Sequence, residues 1–318
     1  MSAPAARYAA IDVGSNTIHL LVADLRPGWL PEPRLRERAF VQLGEDVART
    51  GMVGAERLEL AARTLSQQVA AARRAGVRSI AIGATEALRA ASNGPQVAER
   101  LAAAAGEPVR ILAPLEEAAF AFAGATAKAP RGRPTLLVDI GGASTQLAVG
   151  QVGRPLEHVD SLRVGSGMVA QLAGADPPTA VEWQAMEHWV EGRIPELRPV
   201  TGAVRALGTG GTITNLPRLE GPPVRTTLAA ETVERILERM RREPLAQLRA
   251  RSGVDLERIR LCVGGIVILA QLMDLLHLTA LQLSERGIRD GMVTALARNG
   301  ADWWRDPATA AIVGAGTG

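Results

Sequence analysis

The chain alternates between short apolar runs bounded by Gly, Asn, Asp or Pro, which predict strands, and longer segments whose apolar residues recur three and four apart, which predict helices. Tyr8 to Leu25 is an apolar approach, a polar turn at Gly14–Ser15–Asn16–Thr17 and an apolar return: a hairpin. Pro27 to Pro33 is a connection, and Arg36 to Leu43 fits a third strand. Ala55 to Ala75 carries Leu58, Ala61, Ala62, Leu65, Val69 and Ala72 at helical spacing and stops at Gly76, as a helix C-terminus should. Strands are then expected at 77–82 and 109–112, and helices at 86–91, 96–105 and 115–125.

Lys128 to Pro134, KAPRGRP, is the most linker-like stretch and suggests a boundary between domains 1–127 and 128–318, with the last helix able to pack back on the first. The second half opens like the first. Leu136 to Gly150 reads strand, turn, strand, and a strand at 159–164 follows. Helices are expected at 165–172, 180–190, 213–219, 228–239, 245–249, 266–276 and 291–298, with strands at 203–207 and 281–284. At 318 residues, two domains are the default expectation.

The duplicated hairpins carry the chemistry. In each an apolar strand ends in an Asp, Asp12 or Asp139, passes glycines with hydroxyl residues beside them, and resumes as a strand. Such glycines let backbone N–H groups converge on an anion. The Asp carries the wrong charge for phosphate, and its natural partner there is a divalent cation or a water. Taken alone, the central hairpin fits an ordinary Gly-rich turn with a capping Asp equally well. Two such units suggest duplicated halves facing each other across a cleft that fits a polyanion. Gly208-Thr-Gly-Gly-Thr212, between a strand and an apparent helix, is a third and weaker Gly-rich turn, offering Gly210 and Gly211.

Composition narrows the field. The formal charge is +3, and the basic side is almost all Arg, Lys128 being the sole lysine. So small an excess without a basic stripe argues against a nucleic-acid binder. Cys262, the single cysteine, lies in an apolar run and reads as a buried structural thiol. The longest apolar run, Leu261 to Ala270, is far below the ~20 residues that span a bilayer, and the first ten residues hold no signal core. A cytoplasmic protein without a membrane partner is the expectation. His19 and His277 sit among aliphatic residues, and no cluster has zinc-like spacing.

Six motifs in order resemble the exopolyphosphatase/guanosine pentaphosphate phosphatase family. They are Asp12-Val-Gly-Ser-Asn-Thr17, Gly83-Ala-Thr-Glu-Ala-Leu-Arg89, Glu116-Glu117-Ala118, Asp139-Ile-Gly-Gly-Ala-Ser-Thr145, Gly208-Thr-Gly-Gly-Thr212 and Ser284-Glu-Arg-Gly-Ile-Arg-Asp-Gly291. The chain is similar to the short members, which lack a C-terminal helical extension. The resemblance implies an α/β fold of two ribonuclease-H-like domains, of the actin-like, sugar-kinase and Hsp70 superfamily, with an interdomain cleft.

It also implies a phosphoanhydride hydrolase that releases orthophosphate from inorganic polyphosphate or guanosine pentaphosphate. Glu117 would be the general base, Glu116 a helix-terminal charge, and Arg89 a phosphate contact. Gly14, Ser15, Asn16, Thr17, Gly141, Gly142, Ser144, Thr145 and Gln146 would line the phosphate site with Gly210 and Gly211. Asp139 would hold Mg²⁺ or another divalent cation together with Asp12. A homodimer stays open.

Two positions depart from the family's usual Gly-Gly-Gly-Ser-Thr-Glu, since Ala143 replaces the third glycine and Gln146 the acid. The loss of a carboxylate keeps alive a slow or inactive protein that binds guanosine polyphosphates or polyphosphate as a sensor. A kinase of the same superfamily is the more distant alternative.

Overall fold

The computed structural model describes residues 5–194, 205–221 and 226–305. The described residues form two compact units. One gathers the chain through Gly132, Gly150–Glu157 and the residues from Arg286 onward, and the other holds Arg133–Val149 and His158–Glu285.

The first unit is built on strands Ala6–Val13 (β1), Thr17–Leu25 (β2), Glu32–Phe40 (β3), Ile80–Ala84 (β4) and Arg110–Ile111 (β5), in the order β3-β2-β1-β4-β5. β1, β2 and β3 are antiparallel neighbours, while β4 and β5 join parallel. Its helices are Leu43–Thr50 (α1), Ala55–Arg74 (α2), Glu86–Ala90 (α3), Gly94–Ala105 (α4) and Pro114–Ala125 (α5), joined by Ile288–Asn299 (α13) from the chain's end. Strand residues alternate between faces. Ile11, Val13, Ile18, Leu20 and Val22 pack in a core with Leu65 and Val69 of α2 and Leu101 of α4. Tyr8, Ala10, Leu21 and Ala81 pack in another with Phe120 of α5 and Met292, Val293 and Leu296 of α13.

The second unit repeats the scheme. Its strands are Thr135–Ile140 (β6), Thr145–Gly150 (β7), His158–Leu162 (β8), Arg205–Thr209 (β9), Thr227–Ala229 (β10) and Ala280–Leu283 (β11). The order β10-β11-β9-β6-β7-β8, read from its far end, is that of the first sheet with β10 added at the edge. This shared order, with the third strand beside the second and the fourth parallel to the first, is the ribonuclease-H-like arrangement. Its helices are Ser166–Ala170 (α6), Ala180–Glu191 (α7), Gly210–Ile213 (α8), Leu216–Glu220 (α9), Ala230–Arg242 (α10), Leu245–Ser252 (α11) and Leu256–Leu275 (α12). One core, with Leu136, Val138 and Ile140 of β6 against Ile259, Cys262, Ile266 and Leu269 of α12, holds it together. Burial pushes the Cys262 thiol up to about 12, as an inert core cysteine requires.

The chain passes from the first unit to the second after Gly132, and its residues from Arg286 belong to the first unit. Several expected elements need revision. α1 is absent from the sequence reading because Gly44 interrupts its pattern. Residues 228–239 split into edge strand β10 and helix α10, since Leu228 pairs with Leu281 before the helix begins. The helix expected at 266–276 starts ten residues earlier, where Asp255 caps α12 by accepting from the Arg258 N–H at 2.8 Å. The helix expected at 213–219 is two short ones, with Pro217 in the first turn of the second. Residues 203–204 of the strand expected at 203–207 lie outside the described residues.

Candidate active site

In the first unit, the β1–β2 turn closes when the Gly14 N–H donates to the Thr17 carbonyl at 3.0 Å. Residues 41–44 fasten it from outside, because Val41 and Gln42 donate to the Asn16 carbonyl (2.9 and 3.1 Å) and Gly44 to that of Ser15 (2.8 Å). The start of α1 therefore supports the turn. Ser15, Asn16 and Thr17 are buried, and the Thr17 hydroxyl lies 2.6 Å from His19 Nε2. Two enclosed polar atoms at this turn have no hydrogen-bond partner: Asp12 Oδ1, an acceptor, and Asn16 Nδ2, a donor. A buried unpartnered polar atom costs about 1–3 kcal/mol, a cost that a ligand or an ordered water bound at the turn would relieve. Burial pushes the Asp12 carboxyl up to about 6, against the opposing pull of Arg289.

Glu117, in the first turn of α5, is buried. Its Oε2 lies 2.8 Å from Arg89 Nη1. Arg89 also binds Glu86 Oε2 through Nε (3.1 Å) and Nη2 (2.7 Å), and the Leu112 carbonyl through Nη1 (2.7 Å). The guanidinium is thus spent largely on protein partners. Glu116 faces elsewhere, and its Oε2 accepts from the Ala113 N–H at 2.7 Å, an ordinary end cap for α5. What holds α5 in place is α13. A Cβ on Gly291 would lie 2.1 Å from the Phe120 carbonyl oxygen, and one on Gly124 1.9 Å from that of Gly287. The two backbones cross in contact, which explains the last motif's glycines.

In the second unit, Gly141 N–H donates to the Ser144 carbonyl (2.9 Å), making the β6–β7 turn the counterpart of the first. The Ser166 N–H and hydroxyl bind the Gly141 carbonyl (2.9 and 3.0 Å), and the Gly167 N–H binds that of Gly142 (2.9 Å). Ala143 does not take a positive φ, so an alanine fits where the family has glycine. The Thr145 hydroxyl donates to the Val164 carbonyl at 2.6 Å in full burial and serves the fold. Gln146 is 1% exposed, and its Nε2 donates to the Ser144 hydroxyl (2.9 Å) and the Ser161 hydroxyl (3.4 Å).

Asp139, the penultimate residue of β6, lies beside Gly210, whose φ is +90° and whose added Cβ would lie 2.6 Å from Asp139 Oδ1. Gly211 abuts buried Arg258, with an added Cβ 2.4 Å from Nη1. The structure thus gathers Asp139, Gly141, Gly142, Ser144, Gln146, Gly210 and Gly211 at one end of the second sheet. Asp12, Gly14–Thr17, Arg89 and Glu117 belong to the first unit. Glu86, Ser161 and Arg258 were not singled out from sequence. Glu86 could have been, because it stands three residues before Arg89.

Among the described residues no group of three or more His, Cys, Asp or Glu side chains is arranged to hold a metal. Mg²⁺ commonly takes only one or two carboxylates, completing its shell with phosphate oxygens and water. The enclosed Asp12 Oδ1 and the glycine-cradled Asp139 suit that donor set. Among the described residues no helix is long and apolar enough to cross a membrane.

Fold and site together define an α/β protein of the actin-like, ribonuclease-H-like kind with matching Asp–Gly turns in both units. Residues 21–299 match the model of the Ppx/GppA phosphatase family, and the chain belongs to that family. It is 25% identical over 309 residues to exopolyphosphatase 1 of Mycobacterium tuberculosis, covering 93% of this chain and 90% of that one. It is 26% identical over 294 residues to the guanosine-5'-triphosphate,3'-diphosphate pyrophosphatase of Vibrio parahaemolyticus, covering 90% of this chain and 58% of that longer one. Among solved structures, the Ppx/GppA family member of Aquifex aeolicus superposes with a TM-score of 0.75 at 26% identity, over 93% of this chain and 99% of that one.

Proposed function

We propose that this chain is a phosphoanhydride hydrolase that releases orthophosphate from the end of inorganic polyphosphate or from guanosine pentaphosphate. The observation that carries the reading is the pair of enclosed, unpartnered atoms at the β1–β2 turn, one suited to a hard cation and one to a phosphate oxygen. Family membership sets the substrate class.

Phosphoryl transfer needs positioning, charge neutralisation and an oriented nucleophile. Asn16 Nδ2 and the N–H groups of Ser15 and Asn16 in the first unit, and the Ser144 hydroxyl in the second, are the phosphate donors. Asp12 in the first unit and Asp139 in the second each offer a carboxylate suited to a divalent cation, which when bound would neutralise phosphate charge. Glu117 Oε takes the proton of the attacking water, the new P–O bond forms, and the bond to the leaving phosphate breaks. The test is Mg²⁺-dependent phosphate release from both substrates without any acceptor. Release from neither, at any divalent cation, ends the proposal.

A second reading has its own observation. Gln146 is neutral, buried and bound to two hydroxyls, so it supplies no charge to a cation. A binding protein for guanosine polyphosphate or polyphosphate would keep the turns and tolerate that loss. Tight binding without phosphate release selects it.

A further inference from the structure

Glu86 belongs to none of the roles above, yet it is one of the few buried carboxylates of the first unit, 8% exposed. It opens α3, and its Oε2 receives both Nε and Nη2 of Arg89, three residues on. On a helix surface such a pair is worth only a few tenths of a kcal/mol. Here the side chains of Glu86, Arg89 and Glu117 are 10%, 15% and 11% exposed, so little solvent screens the three charges. Arg89 is the hub. One edge of its planar guanidinium lies on Glu86, while Nη1 reaches the Leu112 carbonyl and Glu117 Oε2. Planarity matters because, once one edge is fixed, the direction of the other N–H bonds is fixed too.

Arg89 alone could swing about its long stem. With Glu86 gripping the Nε edge and the Leu112 carbonyl taking an Nη1 hydrogen bond, the position of Nη1 is fixed, and its charge lies against the Glu117 carboxylate as an ion pair at 2.8 Å rather than as an aimed hydrogen bond. Glu86 also takes part of the guanidinium's charge, so Glu117 shares its cation and does not hold it as a private ion pair. A general base fully neutralised by its own arginine would be pinned and poorly basic. A base held by a shared arginine is oriented yet still able to accept a proton.

We propose that Glu86 is a positioning residue for the hydrolytic base, acting on Glu117 through Arg89, and that the main work of Arg89 in this chain is to orient Glu117. The inference rests on the hydrolase reading. It predicts that Glu86 controls turnover more than substrate affinity, and that its influence vanishes once Arg89 is gone.

A double-mutant cycle tests this, with kcat and KM measured for phosphate release from polyphosphate at saturating Mg²⁺. The proteins are wild type, Glu86→Gln, Arg89→Gln and the double variant. Glu86→Gln should lower kcat by roughly tenfold with KM changed by less than about threefold, the size expected when contacting residues couple. In the Arg89→Gln background, Glu86→Gln should cause no further loss, and should recover part of the activity by removing a buried carboxylate that has lost its counter-charge. If Glu86→Gln does not fold by circular dichroism, Glu86→Asp replaces it in the same cycle. An equal kcat loss in both backgrounds would show a merely structural role and overturn the inference. So would an effect confined to KM, which would put Arg89 on the substrate. A wild type that releases no phosphate removes the hydrolase reading and this inference together, whereas an active wild type without coupling removes the inference alone.

Discussion

Replacing Asp12 by Asn tests whether the β1–β2 turn carries a stability cost that a bound ligand would relieve. Burial pushes the Asp12 carboxyl from its ordinary 3.8 up to about 6. The unfolded chain therefore releases this proton first as pH rises. Between those values the folded protein binds more protons than the unfolded one, so stability falls with rising pH, and the full cost stands above about 6. At 1.36 kcal/mol for each tenfold difference in proton affinity, the gap between 3.8 and about 6 amounts to ~3 kcal/mol. Asp12→Asn removes that cost but leaves an amide with imperfect partners, so ~3 kcal/mol is the upper figure. Thermal denaturation of the metal-free protein in chelator, followed at pH 7.5 and at pH 4, checks it. The variant should be more stable than wild type at pH 7.5, with Tm higher by up to roughly 6–12 °C, and no more stable at pH 4. Adding Mg²⁺ at pH 7.5 should narrow the gap by stabilising wild type alone. A variant that is less stable at pH 7.5, or equally shifted at both pH values, would refute the reasoning.

Three further outcomes follow from other parts of the site. Glu117→Gln should cut phosphate release by roughly 10²–10⁴-fold with little change in KM, while Glu116→Gln, which touches the end cap of α5 and Arg110, should leave kcat within about threefold; equal losses in steady-state kinetics would mean the carboxylates act as a unit. Gln146→Glu buries a carboxylate beside the Ser144 and Ser161 hydroxyls, which can turn to donate to it, and it should lower the Mg²⁺ concentration needed for half-maximal phosphate release; an unchanged or higher requirement in a metal titration counts against a cation near that position. Gly165→Ala places a Cβ 2.3 Å from the Ala143 N and should abolish most phosphate release while shifting Tm down by a few degrees; full activity would show that the β6–β7 turn is dispensable.

Much of the architecture was readable because strands and turns carry local signals. The Tyr8–Leu25 and Leu136–Gly150 hairpins alternate, break at glycine and resume, and the sheets are built around them. Asp12, Gly14, Asn16 and Asp139 were visible for the same reason. Elements whose reason for existing is tertiary were not. β10 is a strand only because Leu228 has Leu281 to pair with, and by propensity it merges with the helix after it. The close crossing of α13 on α5 depends on glycines that let two backbones touch, a property of pairs that no window of sequence displays. In the site, Thr145 looked like a phosphate hydroxyl by position, yet its donor is taken by the Val164 carbonyl. Glu86 looked like an ordinary first-turn acid until Arg89 and Glu117 were seen around it.

The crossing of α13 on α5 has a consequence for how the protein is made. Synthesis delivers the sheet of the first unit and the helix bearing Glu117 early, but Met292, Val293 and Leu296, which close the core behind that helix, emerge only after the whole second unit. Until then Tyr8, Ala10, Leu21 and Phe120 lack their cover, so the nascent first unit is an unfinished, apolar-faced intermediate, the kind of surface that chaperones recognise. Folding of the first unit is thereby tied to completion of the chain, and a polypeptide cut between Gly211 and Ile288 would keep both Asp–Gly turns and Glu117 and still lack the helix that packs against α5.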